Sequence, residues 1–210
     1  MTGAEVSTKR GRPRDASFDE RVLDATRGLL TELGFDATTV QAIAERSGVH
    51  TSAIYRRWPS RVAIIERAVF PGLESLQVAA TGDLEGDVRR FVRAFHAALS
   101  DPAVRAALPG LLRSYEADGR DGSPETWLEV SARPQFLDIV RAAPAGSVDE
   151  SLDIDDVFDT VLGALLARVI VPTVIARRRP LERLVELALR MLGPGAADVR
   201  RVVRPRRVAP

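Results

Sequence analysis

The sequence predicts an all-α fold, and three observations carry that expectation. Ala, Leu, Val and Arg dominate the 210 residues while aromatic residues are few, a composition that suits helices better than a β-sandwich. Apolar residues recur at helical spacing, most clearly at Phe18, Val22, Leu23, Leu29, Leu30 and Leu33. Between such stretches stand glycines, prolines and hydroxyl residues of the kind that start and stop helices. The length permits a proper core in one domain or two.

Residues 1–16 lack hydrophobic periodicity and are expected to form a disordered basic arm. Ser17 is a good N-cap for the first helix, with Asp19 and Glu20 in its first turn, and Gly34 ends it. A second helix starts after Thr38 or Thr39 and stops at Gly48; Thr38 with Gln41 three residues on reads as a capping box. A third runs from Thr51 to Trp58 and ends at Pro59. Ser60 caps a fourth, Arg61 to Val69, broken by Pro71-Gly72. Further helices are expected at 73–79, 84–100, 102–118, 125–142, 153–176 and 180–192, with loops at 122–124 and 144–150. Pro134 predicts a break or kink in the fourth of these, and Pro180 opens the last. Segment 153–176 carries an apolar stripe broader than one helix face needs inside a monomer, closed by Arg177–Arg179 against the helix dipole. Residues 194–210 are expected to form a disordered basic tail.

The most informative stretch is Thr38 to Arg61, TTVQAIAERSGVHTSAIYRRWPSR. Two short helices joined by a tight turn containing Gly48 form the helix-turn-helix pattern, whose second helix enters the DNA major groove. Ile54 and Trp58 stand one turn apart as core positions, while Tyr55, Arg56 and Arg57 follow in a row.

The pattern GF-x-ATTV-x-x-IAE-x-SGV-x-x-x-x-IYRRWPSR resembles the DNA-binding domain of the TetR/AcrR transcriptional regulators, without a gap from about Phe18 to Val69. Beyond Val69 the resemblance is one of architecture. It implies an all-α homodimer with a DNA-binding domain at 17–69 and a helical ligand-binding and dimerisation domain at 70–193. The family register favours Thr39 as the cap of the second helix, with Thr39 and Gln41 facing phosphates, where backbone N–H groups and the dipole attract an anion. Tyr55 occupies the family's phosphate-binding tyrosine position, and Arg61 stands, after Ser60, where lysine is usual. Thr51, Ser52 and Ala53 lie at the part of the reading helix that reaches base edges. His50 departs from the serine common at this cap; capping, phosphate contact and base reading are all open to it. Arg56 and Arg57 suit guanine or phosphate, and the sequence does not choose.

Charge distribution fits contact with DNA at one end. Residues 1–69 carry a net +2, residues 70–198 a net −6, and the last twelve residues +5. Arg12 and Arg14 lie in KRGRPR, whose GRP core resembles the AT-hook, an arginine segment that enters a narrow minor groove. The arginine-rich C-terminal run has a weaker case, as it lies far along the chain from the reading helix.

The second part shows no catalytic constellation. No HExxH, phosphate loop or GxSxG occurs, and His50 and His96 are the two histidines. With no cysteine, disulfides, thiolate metal sites and cysteine nucleophiles are excluded, and no metal or cofactor is expected. Asp153, Asp155 and Asp156 sit at a helix start, where acidic charge steadies the dipole. No stretch reaches about 18 apolar residues, so no membrane span is expected, and the N-terminus lacks the apolar core of a secretory signal, which points to the cytoplasm. The resemblance implies a small-molecule inducer held between helices; Phe91, Phe95, Leu99, Leu112, Tyr115, Trp127 and Phe136 are the candidate lining residues, with plain core as their competing role. By the same analogy the helices at 153–176 and 180–192 dimerise. Two functions therefore compete: a homodimeric repressor released from a palindromic operator by an inducer, and a constitutive DNA-binding or architectural protein without a pocket. A cavity of roughly 300 Å³ or more favours the first.

Overall fold

The computed structural model describes residues 16–70, 76, 78–118, 132–172 and 180–193. Among them there are nine helices and no strand: α1 Ala16–Ala37, α2 Val40–Ser47, α3 Thr51–Arg57, α4 Arg61–Val69, α5 Leu84–Leu99, α6 Pro102–Asp118, α7 Arg133–Arg141, α8 Ile154–Ile170 and α9 Leu181–Leu192. We refer to α1–α4 as the head and α5–α9 as the body. None of these helices is long and apolar enough to cross a membrane.

Local signals set most of the boundaries. The regular part of α1 breaks at Gly34, whose φ of 81° lies in the region that favours glycine, before one further turn to Ala37. Thr39, not Thr38, caps α2: the Ala42 N–H donates to Thr39 Oγ1 at 3.1 Å, while the buried Thr38 hydroxyl donates back to the Gly34 carbonyl at 2.7 Å. Ser60 caps α4 by accepting from the Ala63 N–H at 3.1 Å. Pro134 sits in the first turn of α7 and Pro180 at the N-cap of α9, places where a missing N–H costs little.

Three expectations need correction. The helix expected over 153–176 is interrupted at Val171, whose φ of −124° and ψ of 58° are not helical, so α8 ends at Ile170. Within 73–79, the described Leu76 and Val78 are not helical. Both are half-buried against the core. Leu33, on the predicted apolar stripe of α1, stands 59% exposed just before the Gly34 break. The arm 1–15, Pro71-Gly72, residues 122–131, Arg177–Arg179 and the tail from 194 lie outside the described residues.

Two hydrophobic clusters organise the molecule. The smaller lies in the head and joins Val22, Leu29, Val40, Ile43, Val49, Ile54, Trp58 and Ile64. The larger fills the body around Phe91, Phe95, Phe136 and Phe158, whose ring centroids lie 5.2–6.5 Å apart, and it also takes in Leu30, Phe35, Ile65, Val69 and Phe70 from the head. α1 and α4 therefore serve both clusters, and α1 packs on α2, α4 and α6. Arg27 of α1 adds polar ties, donating to the Ala68 carbonyl and to Asp101 Oδ2, both at 2.8 Å. The second oxygen of Asp101 accepts from the Ala103 N–H in the first turn of α6 at 2.9 Å.

Candidate nucleic-acid interface

The α2–α3 pair is built on a glycine. Gly48 takes φ 67°, and the N–H groups of Gly48 and Val49 both return to the Ala44 carbonyl, so the chain reverses with its donors satisfied. α3 is then held by two side chains: Ile54, fully buried, and Trp58, 8% exposed and stacked on Phe18 at 6.3 Å. Opposite these anchors, His50, Thr51, Ser52, Tyr55 and Arg56 are exposed. Thr51, Ser52, Tyr55 and Arg56 fall one turn apart in pairs, a single polar face along a helix. Beside it runs a groove of about 470 Å³ lined by Gln41, Ala44, Glu45, Gly48, Val49, His50 and Thr51.

The residues anticipated as DNA contacts divide by environment. Thr39 and Gln41 stand exposed at the start of α2, with Gln41 donating to Glu45 at 3.3 Å. His50 occupies the N-cap of α3 without a side-chain cap hydrogen bond. Ala53 is half-buried against the head cluster, so its methyl is shared with the core. Tyr55 is 56% exposed, and Arg56 is exposed with no carboxylate partner among the described residues. Arg57 instead forks onto Asp19 of α1 at 3.1 and 2.5 Å, tying the end of the reading helix to α1. Ser60 spends its oxygen on the cap of α4. Arg61 turns inward, donating to the carbonyls of Phe35 at 2.8 Å and Thr38 at 3.4 Å, with its guanidinium 4.4 Å from the Phe35 ring centre. Arg12 and Arg14 lie outside the described residues.

A second clamp fixes α2. Arg46 forks onto Glu32 of α1 at 2.6 and 2.5 Å, and that hydrogen bonding holds the Glu32 carboxyl below its ordinary range. Gly28 makes room for it, since a Cβ there would approach Arg46 Nη2 to 2.8 Å.

In the body, a cavity of about 30 Å³ is lined by apolar side chains of α5, α6 and α8 and by Phe70 and Tyr115. Phe95, Leu99, Leu112 and Tyr115 line it; Phe91 and Phe136 are fully buried in the phenylalanine cluster instead, and Trp127 lies outside the described residues. The Tyr115 hydroxyl donates to Glu66 Oε1 of α4 at 2.5 Å, and burial, reinforced by that carboxylate, pushes the phenol pKa up. Sequence reasoning did not find Glu66 as a contact residue, nor Phe35 of α1 and Gly110 of α6, where a Cβ on the glycine would overlap the phenylalanine ring. Each is defined by a partner distant in the chain, and only the GF pair of the motif marked Phe35 at all. Among the described residues, no group of His, Asp and Glu could hold a metal ion.

Comparison with known proteins agrees with this arrangement. Residues 22–68 match the model of bacterial regulatory proteins of the tetR family, and residues 78–188 match that of the tetracyclin repressor-like C-terminal domain. The HTH-type transcriptional regulator AqdR of Rhodococcus erythropolis is 29% identical over 73% of this chain and 74% of its own. An uncharacterized HTH-type transcriptional regulator of Bacillus subtilis, YdeS, is 39% identical, but over 40% of this chain, which covers 42% of the YdeS length. The crystal structure of a TetR-family regulator from Haemophilus influenzae, HI0893, superimposes with a TM-score of 0.61 at 16% identity, over 87% of this chain and all of that one.

Proposed function

This chain belongs to the TetR family of bacterial regulatory proteins and is a DNA-binding transcriptional regulator, and from that premise we propose that it is a homodimeric repressor released from a palindromic operator by a small molecule. The observation that carries the DNA-binding assignment furthest is the exposed face of α3, with Thr51, Ser52, Tyr55 and Arg56 opposite the Ile54 and Trp58 anchors. Thr51 and Ser52 read base edges, Tyr55 and Thr39 hold phosphates, and Arg56 takes a guanine or a phosphate. Residues 17–69 form the DNA-binding domain and 70–193 the ligand-binding and dimerisation domain. The arm before residue 16 adds minor-groove affinity through Arg12 and Arg14.

Dimerisation through α8 and α9 is supported by Ile170, Val171 and Leu187, apolar side chains 42%, 42% and 46% exposed in the single chain. Two-fold symmetry in the protein would then be mirrored in the operator. Release follows when an inducer favours a conformation in which the two heads are wrongly spaced.

One observation favours the constitutive alternative: the interior cavity beside Tyr115, about 30 Å³, is far below the roughly 300 Å³ of an ordinary ligand site, while the larger depression of about 510 Å³ around Arg168, Leu187 and Arg190 lies on the α8–α9 face assigned to dimerisation. Selecting fragments of the host genome on the purified protein, followed by footprinting, tests the DNA reading; recovery of a two-fold symmetric site supports it, and capture without sequence enrichment overturns it. Metabolites of genes beside the selected site, added to the complex, separate the inducible from the constitutive form.

A further inference from the structure

We propose that Phe35, seated on Gly110 and clamped by Arg61, is the positioning contact that fixes the N-terminus of α2 relative to α6, so that a displacement of α6 is passed directly to the phosphate-facing turn. The inference rests on the DNA-binding reading above. It begins with the Gly34 break, which turns the chain off the α1 axis and sends the Phe35 ring inward, where it is 8% exposed. On one side the ring meets the backbone of α6 at Gly110. A Cβ built there would overlap the ring carbons of Phe35, so this approach requires glycine at that position. The Arg61 guanidinium packs against the same ring, 4.4 Å from its centre.

The corner that follows is tied internally. The Thr38 N–H donates to the Phe35 carbonyl at 3.2 Å, the Thr39 N–H to the Ala37 carbonyl at 2.9 Å, and Arg61 bridges the carbonyls of Phe35 and Thr38. A ring displacement therefore carries Thr39, the α2 cap, with it rather than being absorbed by slack chain. On the α6 side, Gly110 lies between Leu108 and Leu111, both of which line the body cavity. Pro109 contributes no N–H to the α6 ladder, which lowers the resistance of the helix to bending at this point. The same few residues of α6 thus face the cavity and the head corner.

The test is a double-variant cycle on Gly110→Ala and Phe35→Leu, with Arg61→Lys as an independent probe. The readouts are affinity for a duplex selected by the wild-type protein and amide hydrogen exchange in the DNA-free protein. Gly110→Ala should bind the duplex about tenfold more weakly, with its circular dichroism and oligomeric state unchanged. Combined with Phe35→Leu, it should bind within about threefold of Phe35→Leu alone, because the ring that the new Cβ meets is gone. Arg61→Lys, which keeps the charge but loses the planar fork, should accelerate exchange of the Thr38, Thr39 and Ala42 amides about tenfold and leave the Val49 amide at the α2–α3 turn protected. Wild-type affinity in Gly110→Ala, additive losses in the cycle, or acceleration spread evenly over the head would each overturn the proposal. Should Gly110→Ala not fold, the Arg61→Lys exchange pattern decides. Absence of duplex binding by the wild-type protein refutes the functional reading, and the exchange experiment still judges the contact by itself.

Discussion

The head and the body place their chemistry on opposite sides of their surfaces. In the head, the polar groups with work to do face outward: Tyr55 and Arg56 project from a seven-residue helix that Ile54 and Trp58 anchor in the core and Arg57 ties to Asp19. In the body, the distinctive groups face inward: four phenylalanines fill the centre, and Tyr115 turns its hydroxyl toward Glu66 from the edge of a small cavity. Changes on the outer face of the head should therefore separate binding from stability, whereas changes inside the body should not.

The most severe challenge to that contrast is Phe91→Ala. Phe91 is fully buried and touches three other rings, so its loss should cost about 3–5 kcal/mol, seen as a lower denaturation midpoint. A change near zero would mean that the cluster is not what holds the body together. Tyr115→Phe comes next. It leaves a part-buried carboxylate without its phenol donor, for a loss of about 1–2 kcal/mol in the same measurement. It also carries a pH signature. The folded phenol keeps its proton above its ordinary pKa of 10.0, where the unfolded chain releases it, so wild-type stability should fall as pH rises past that value. Tyr115→Phe should flatten that alkaline decline, and an unchanged slope would show that another group sets it.

In the head, Thr39→Ala removes the α2 cap and should cost about 1 kcal/mol while also weakening DNA binding. Loss of stability with undiminished affinity would separate the cap from the phosphate role. The smallest effect on stability is expected of Tyr55→Ala, within about 0.5 kcal/mol of wild type, since the ring is 56% exposed. Yet its affinity should fall for all duplex sequences alike, with operator discrimination retained, as expected of a phosphate contact. If the loss instead differed between operator and unrelated duplexes, Tyr55 would be a base-reading group and the assignment of the α3 face would need redrawing.

What was legible in the sequence follows the same division. Caps and turns are local, so Gly48, Ser60 and the limits of α6 could be read from neighbouring residues alone, whereas the local pattern pointed to Thr38 and only the family register favoured Thr39 as the α2 cap. Side chains that answer to distant partners could not. Arg57 and Arg61 look like DNA-facing cations in the linear motif, but Asp19 takes the first and the Phe35 and Thr38 carbonyls take the second. Within the body, helical periodicity identifies inward-facing residues without saying whether they meet a void or a neighbour. That is why Phe95 and Tyr115 line the cavity while Phe91 and Phe136, equally apolar and equally periodic, are packed solid. The non-helical state of Leu76 and Val78 escapes the sequence for a related reason: seven residues carry too little pattern to establish a helix.

The anchoring of α3 by a few side chains, Ile54 and Trp58 in the core and Arg57 on Asp19, has a consequence for how such a chain changes over generations. Ile54 and Trp58 are constrained by packing, and Gly48 by its φ of 67°. His50, Thr51, Ser52 and Arg56 bear little of the folding free energy, because they are exposed and no side chain caps the helix. On the proposed reading of the α3 face, substitutions there would alter which duplex is recognised while leaving the scaffold intact. Duplicated copies of such a gene can therefore acquire new target sites by single steps without first losing a folded protein.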